Sequence, residues 1–173
     1  AFELNAGTND DMSQGVWWCP VTTGATASGE SVDLVRSGSE ELAGIMEVVQ
    51  GAHADFLDVA YVEGTHSVQT NNFDGTPDIT PRAITTNTDG AVVIVLDTGR
   101  SWGEVATDTI VAPNGYSYEG ASGAPGRIYS GVGNGDVSVV AFWREVDPAD
   151  IELVDDITGI TGGNDHATVT FAI

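Results

Sequence analysis

Apolar residues arrive along this chain in short clusters between polar turns, and the clusters have the length and period of β-strands. The clearest is Ala91-Val92-Val93-Ile94-Val95-Leu96, a continuous β-branched run that reads as a strand buried on both faces or set in a sandwich core. In Val137-Ser138-Val139-Val140-Ala141-Phe142-Trp143-Arg144, period two directs Val137, Val139, Ala141 and Trp143, or Val140 and Phe142, to the interior. Ala167 to Ile173 alternates Ala167, Val169, Phe171 and Ile173 against Thr168, Thr170 and Ala172, the pattern of a half-buried terminal strand. Weaker runs of the same kind are Val16 to Cys19, Val32 to Val35, Phe56 to Val62, Arg82 to Thr86, Arg127 to Tyr129 and Ile151 to Val154.

Turn residues bound these runs. Asp74-Gly75, Asp89-Gly90, Asn114-Gly115 and Asn134-Gly135 accept positive φ and lie beside Val, Ile, Thr or aromatic clusters. Only Ser39 to Gln50 carries a helical signal: Ser39 caps, Glu40 and Glu41 sit at the positive end of the dipole, and Leu42, Ile45, Met46 and Val49 share a face. Gly44 weakens that helix, and Ile45 to Val49 reads equally as a strand after an acidic loop. Many short strands, Gly-rich and Asx-rich turns and at most one short helix predict an all-β fold, an antiparallel β-sandwich of jelly-roll type. The segment Asn71 to Pro81 reads as a long loop inside one domain, since each flanking half is too small to stand alone. Residues 1–12, anchored only by Phe2 and Leu4 among their first residues, read as an N-terminal arm that orders against a neighbour, with residues 13–173 as the single sandwich domain. No fixed period recurs, which argues against a propeller or solenoid.

Charge changes the picture most. Twenty-six Asp and Glu stand against five Arg and no Lys, a formal charge of -21 in 173 residues. Such a surface repels nucleic-acid phosphates and anionic lipid, and it suits a medium whose salt screens self-repulsion to within roughly 8 Å or less. A marine or hypersaline setting follows as an expectation. The apolar fraction of 41% is that of a folding chain. At this length a domain buries roughly 70% of its unfolded surface, so no disulfide is required for a core. Cys19, the only cysteine, reads as a small buried hydrophobe. No run approaches the ~18 apolar residues of a membrane helix, and no basic start followed by an apolar stretch marks a signal peptide.

Candidate chemistry is sparse. His53, His66 and His166 match no metal-binding helix motif, and no G-x-S-x-G elbow occurs, so the sequence predicts no catalytic residues and no enzyme. Glycoside hydrolases need two carboxyls facing a sugar, but among 26 acids any pair could be chosen. Hard cations prefer loop carboxylates, and Asp10-Asp11, Asp74 with Asp78, Asp147 with Asp150, and Asp155-Asp156 have that character. No cofactor is required by this reading; a structural calcium ion stays open, with no site selected. Aromatic residues supply the contact candidates. Of Trp17 and Trp18, adjacent in a strand, one points to the core and one outward, where it stacks on a sugar or fills a neighbour's pocket. Tyr116 and Tyr118, two apart, share a face in the same way; the alternative for all four is packing at the sandwich end and rim.

A resemblance rests on ITTNTDGAVVIVL (Ile84 to Leu96), RSWGEV (Arg100 to Val105), APNGYSYEG (Ala112 to Gly120), VSVVAFWREVDPAD (Val137 to Asp150) and ATVTFAI (Ala167 to Ile173). In strand and turn order this half of the chain resembles β-sandwich structural proteins of tailed phages and related viruses, which form capsid decorations, tail proteins and tail fibres. The resemblance implies a structural virion protein on the capsid exterior or tail, assembled in the host cytoplasm, whose partners are its own copies and other virion proteins. A carbohydrate-binding module or adhesin, holding a host surface glycan on Trp17 or Trp18 and Tyr116, is the alternative. Neither reading involves nucleic acid or membrane insertion.

Overall fold

The computed structural model describes residues 2–6, 12–18, 33, 35, 44–45, 59–63, 79–101, 111–118, 128–129, 137–152, 154–158 and 164–173. These residues are strand-rich, every named strand pairing is antiparallel, and no helix occurs among them. The strands are β1 (Phe2–Ala6), β2 (Met12–Val16), β3 (Val59–Glu63), β4 (Ile84–Thr85), β5 (Ala91–Ser101), β6 (Ser117–Tyr118), β7 (Ile128–Tyr129), β8 (Val137–Val146), β9 (Ile151–Glu152) and β10 (Asn164–Ala172). A six-stranded sheet runs in the order β3-β10-β5-β8-β6, with β7 also paired to β8. Two small sheets accompany it: the hairpin β1-β2 and the pair β4-β9.

The sheet is organised by β5, the longest strand. It begins at a tight turn in which Ala91 N–H donates to Thr88 O at 3.3 Å and Gly90 takes φ 79°, the left-handed position that glycine tolerates best. From there its register with β8 is unbroken from Ala91↔Val146 to Arg100↔Val137, and its register with β10 runs from Val93↔Ala172 to Ser101↔Asn164. β8 ends at Val146, just before the cis Asp147-Pro148 bond, where Pro148 has no N–H to extend the ladder.

Alternation along β5 sorts the core into two faces. Val93 and Val95 point into an inner cluster with Val140, Phe142, Ala172, Ile79, Ile84, Tyr116, Val154 and Ile157. On the opposite face Ile94 and Leu96 pack with Val169, Phe171, Ile173, Val16 and Trp18, so the end of the β1-β2 hairpin covers that side. The apolar run Ala91 to Leu96 is thus buried on its inner face at Ala91, Val93 and Val95 and half-buried on the other at Val92, Ile94 and Leu96, so burial follows strand alternation although the sequence does not. Phe142, Val93, Val95 and Val140 are fully buried, each such side chain stabilising the fold by roughly 1.5–3 kcal/mol relative to exposure.

Corrections fall at element ends and at the last strand. β10 is not a half-buried terminal strand: it lies between β3 and β5, and Ala167 to Ala172 are all buried. Polarity alone predicts a solvent face for Thr168 and Thr170, but threonine is β-branched and small, and a central strand buries both its faces. β5 also outruns its apolar stretch by five residues, to Ser101, burying Asp97 and Thr98. Strand pairing in β2 stops at Val16, short of Cys19, and Asp33 and Val35 lie outside any strand. Gly44 and Ile45, the described residues of the segment 39–50, belong to neither helix nor strand. The turns Asp74-Gly75 and Asn134-Gly135, and the rest of 39–50, lie outside the described residues.

Both edges of the six-stranded sheet are guarded. Among the described residues, one edge carries the two-residue strands β6 and β7. At the other, the register of β3 shifts between Thr170↔Val62 and Ala172↔Val59, placing an extra residue in β3. Short strands and bulges discourage a further strand from adding to an edge.

Candidate functional site

Trp17 and Trp18 leave β2 in opposite senses. Trp18 is half-buried and packs on the Val169 and Phe171 cluster, whereas Trp17 is 62% exposed, the most exposed of the described aromatic side chains. The adjacent pair divides as strand alternation predicts, although the paired strand itself has ended. Gly15 explains why Trp17 holds its position. Residues two apart share a face, and a methyl group added at Gly15 would overlap Cη2, Cζ2 and Cζ3 of the Trp17 ring. The indole therefore lies across bare backbone, supported on one side and open to solvent over most of its surface. A rigid, solvent-facing indole supplies contact area at small conformational cost, to a protein pocket or to a sugar face.

Tyr116 is not a surface group. Asn114-Gly115 forms the turn that its sequence predicts, with Gly115 at φ 81° and Tyr116 N–H donating to Pro113 O at 3.0 Å. The turn sends Tyr116 into the inner cluster, 8% exposed. Burial holds its phenol well above the ordinary tyrosine range, and the Glu152 carboxylate raises it further while Arg144 opposes. The hydroxyl is drawn toward Glu152, yet no partner meets it at full hydrogen-bond geometry. Glu152 is instead held by Arg144, Nη1 to Oε1 at 2.9 Å, with the carboxylate side chain 8% exposed and the guanidinium side 44%. An arginine that reaches solvent at one end and a buried carboxylate at the other closes the inner face beside β9. This grouping was missed in the sequence because Tyr116, Arg144 and Glu152 come together only when β4-β9 and the β6 turn fold over the sheet.

The Tyr118 backbone pairs with Phe142 in β6; its side chain lies outside the described residues, as do Cys19, His53, His66, Asp10, Asp11, Asp74 and Asp78 and the His166 side chain. The remaining acidic loops serve as fasteners. Asp89 Oδ1 accepts from Ala149 N–H at 2.7 Å, Asp150 Oδ1 from Ile151 N–H at 2.7 Å, and Asp156 Oδ1 from the Thr80 hydroxyl at 2.6 Å. Thr86 completes the set, its hydroxyl accepting from Asp150 N–H at 3.1 Å while its own N–H donates to Asp150 O at 3.0 Å. These bonds tie the layer containing β4 and β9 together next to the sheet. Among the described residues no group of three or more His, Cys, Asp or Glu stands together as a metal cluster.

Compared with known protein families, curated proteins and solved structures, the chain finds no match.

Proposed function

We propose that this protein is a structural component of a virus particle, on the capsid exterior or tail of a tailed virus with a marine or halophilic host. It acts by protein-protein assembly, with its own copies and other virion proteins as partners. The observation that carries the reading is Trp17, an indole braced on Gly15 and 62% open to solvent. An exposed indole of this kind supplies the centre of an interface on a strongly acidic chain. The guarded sheet edges direct association to that anchor rather than to strand addition.

The finer fold belongs to the same proposal. The six-stranded sheet is one layer of a β-sandwich of jelly-roll type, and β4-β9 with its neighbouring turns belongs to the layer over the inner face. The net charge of -21 keeps assembled particles soluble in salt and away from the packaged genome. No cofactor and no catalytic step enter this account.

A second reading uses the same indole. A carbohydrate-binding module or adhesin would stack a glycan on Trp17, with no role for Tyr116, which is buried. Light scattering after size exclusion, at low and at molar salt, separates the two readings. A trimer, pentamer or larger ring supports assembly. A monomer under all conditions, with saturable glycan binding that is lost in Trp17→Ala, replaces it with the glycan reading.

A further inference from the structure

Independently of that function, the turn that sends Tyr116 inward holds a group able to modify itself. Asn114 and Gly115 are the exposed centre of this turn, and Pro113 and Tyr116 on either side are buried. The side-chain amide of an Asn is open to attack by the next main-chain nitrogen, because a small, unstrained ring closes, and a following glycine, lacking Cβ, leaves the approach unhindered. Among the described residues nothing restrains either reactant: neither the Asn114 amide nor the Gly115 N–H takes part in a hydrogen bond. The Asp89-Gly90 turn differs on both counts. There the Gly90 N–H donates to Val146 O at 3.0 Å, and Asp89 Oδ1 accepts from Ala149 N–H at 2.7 Å.

We propose that Asn114 is a self-modification site that deamidates in the folded protein. The Gly115 nitrogen, giving up its proton to solvent, bonds to Asn114 Cγ; the bond from Cγ to the amide nitrogen breaks, and that nitrogen leaves as ammonia. Water then opens the cyclic imide at either carbonyl, giving aspartate or isoaspartate, each with a new carboxylate. Aspartate keeps the turn and adds its charge next to the glycine against which the Arg144 guanidinium lies, a Cβ at Gly115 standing 3.4 Å from Nη1. Isoaspartate routes the main chain through the former side chain and lengthens it by a carbon between two buried residues. That extra length works against the 3.0 Å bond from Tyr116 N–H to Pro113 O, which seats Tyr116 in the inner cluster. The site is thus a slow, irreversible loosening of the cover over the inner face.

The test ages the full, folded chain in mildly alkaline buffer, with a sample in urea beside it. Trypsin cuts after Arg100 and Arg127, and the peptide between them, Ser101 to Arg127, holds Asn114 as its single Asn and has no Gln. An amide-to-acid mass gain in that peptide therefore reports this residue alone. The folded sample should convert to a mixture of aspartate and isoaspartate, told apart by electron-transfer fragmentation. Asn114→Gln, whose longer side chain closes its ring far more slowly, should keep its mass. The converted fraction, separated by its added charge, should unfold at lower urea than Asn114→Asp, which carries the same charge without the extra carbon. No conversion, conversion in urea only, or conversion undiminished in Asn114→Gln would overturn the site; a converted fraction as stable as Asn114→Asp would overturn the loosening.

Discussion

At the scale of single residues, Tyr116 and Gly115 show how a two-residue turn decides what a side chain becomes. The phenol is pushed into the inner cluster and its pKa is raised by burial and by Glu152. A raised pKa for an acid means that the folded state holds the proton more tightly than the unfolded chain does. Its contribution is therefore complete below the ordinary tyrosine value of about 10 and declines as pH rises above it. Spectrophotometric titration should show one of the four tyrosines ionising only as the protein unfolds. That late step should be missing in Tyr116→Phe; four tyrosines titrating together with the fold intact would contradict the burial. Gly115 has φ 81°, and a Cβ there would meet Arg144 Nη1 at 3.4 Å. Gly115→Ala should cost about 1–2 kcal/mol from left-handed strain, measured by urea unfolding. Gly90→Ala, where the nearest atom is Glu145 Oε1 at 3.7 Å, should cost no more.

At the scale of elements, β5 and β8 carry the fold. Phe142 projects from β8 beside Val95 of β5 and is fully buried, so Phe142→Ala should destabilise the protein by about 3–5 kcal/mol in chemical denaturation. Trp143, its neighbour on the other face, is 38% exposed and should cost clearly less on the same substitution. These strands were legible in the sequence because β-branched runs and Asx-Gly turns act locally: the run Ala91 to Leu96 and the turns at Gly90 and Gly115 all appear where their residues indicate. Strand order was not legible. That β10 inserts between β3 and β5, making Thr168 and Thr170 interior, depends on pairing over long separations, and a threonine carries no mark of which side it will face. The site residues divide in the same way. Trp17 and Trp18 separate as their adjacency predicts, while Tyr116, which reads as an outward contact or a rim residue, is buried because nothing local reports the layer that closes over it.

At the scale of the whole molecule, 26 acids and five Arg make salt a structural variable. The described acids Asp89 and Asp156 each use an oxygen to fasten a distant segment, and Asp150 uses one to hold the N–H of the next residue, so their charge is tolerated where it also shapes the layer. Self-repulsion among the remaining acids should weaken as added salt shortens the screening length from about 30 Å at 0.01 M to about 3 Å at 1 M. The same screening should favour contact between copies, which places the anchor role of Trp17 within reach of experiment. The decisive measurement is sedimentation equilibrium of wild type and Trp17→Ala side by side at low and molar salt, with thermal midpoints recorded for both. The account predicts a closed oligomer for the wild type that strengthens with salt, and a monomer for Trp17→Ala with an unchanged midpoint. A wild type that stays monomeric throughout, or a Trp17→Ala variant that assembles as the wild type does, would contradict it.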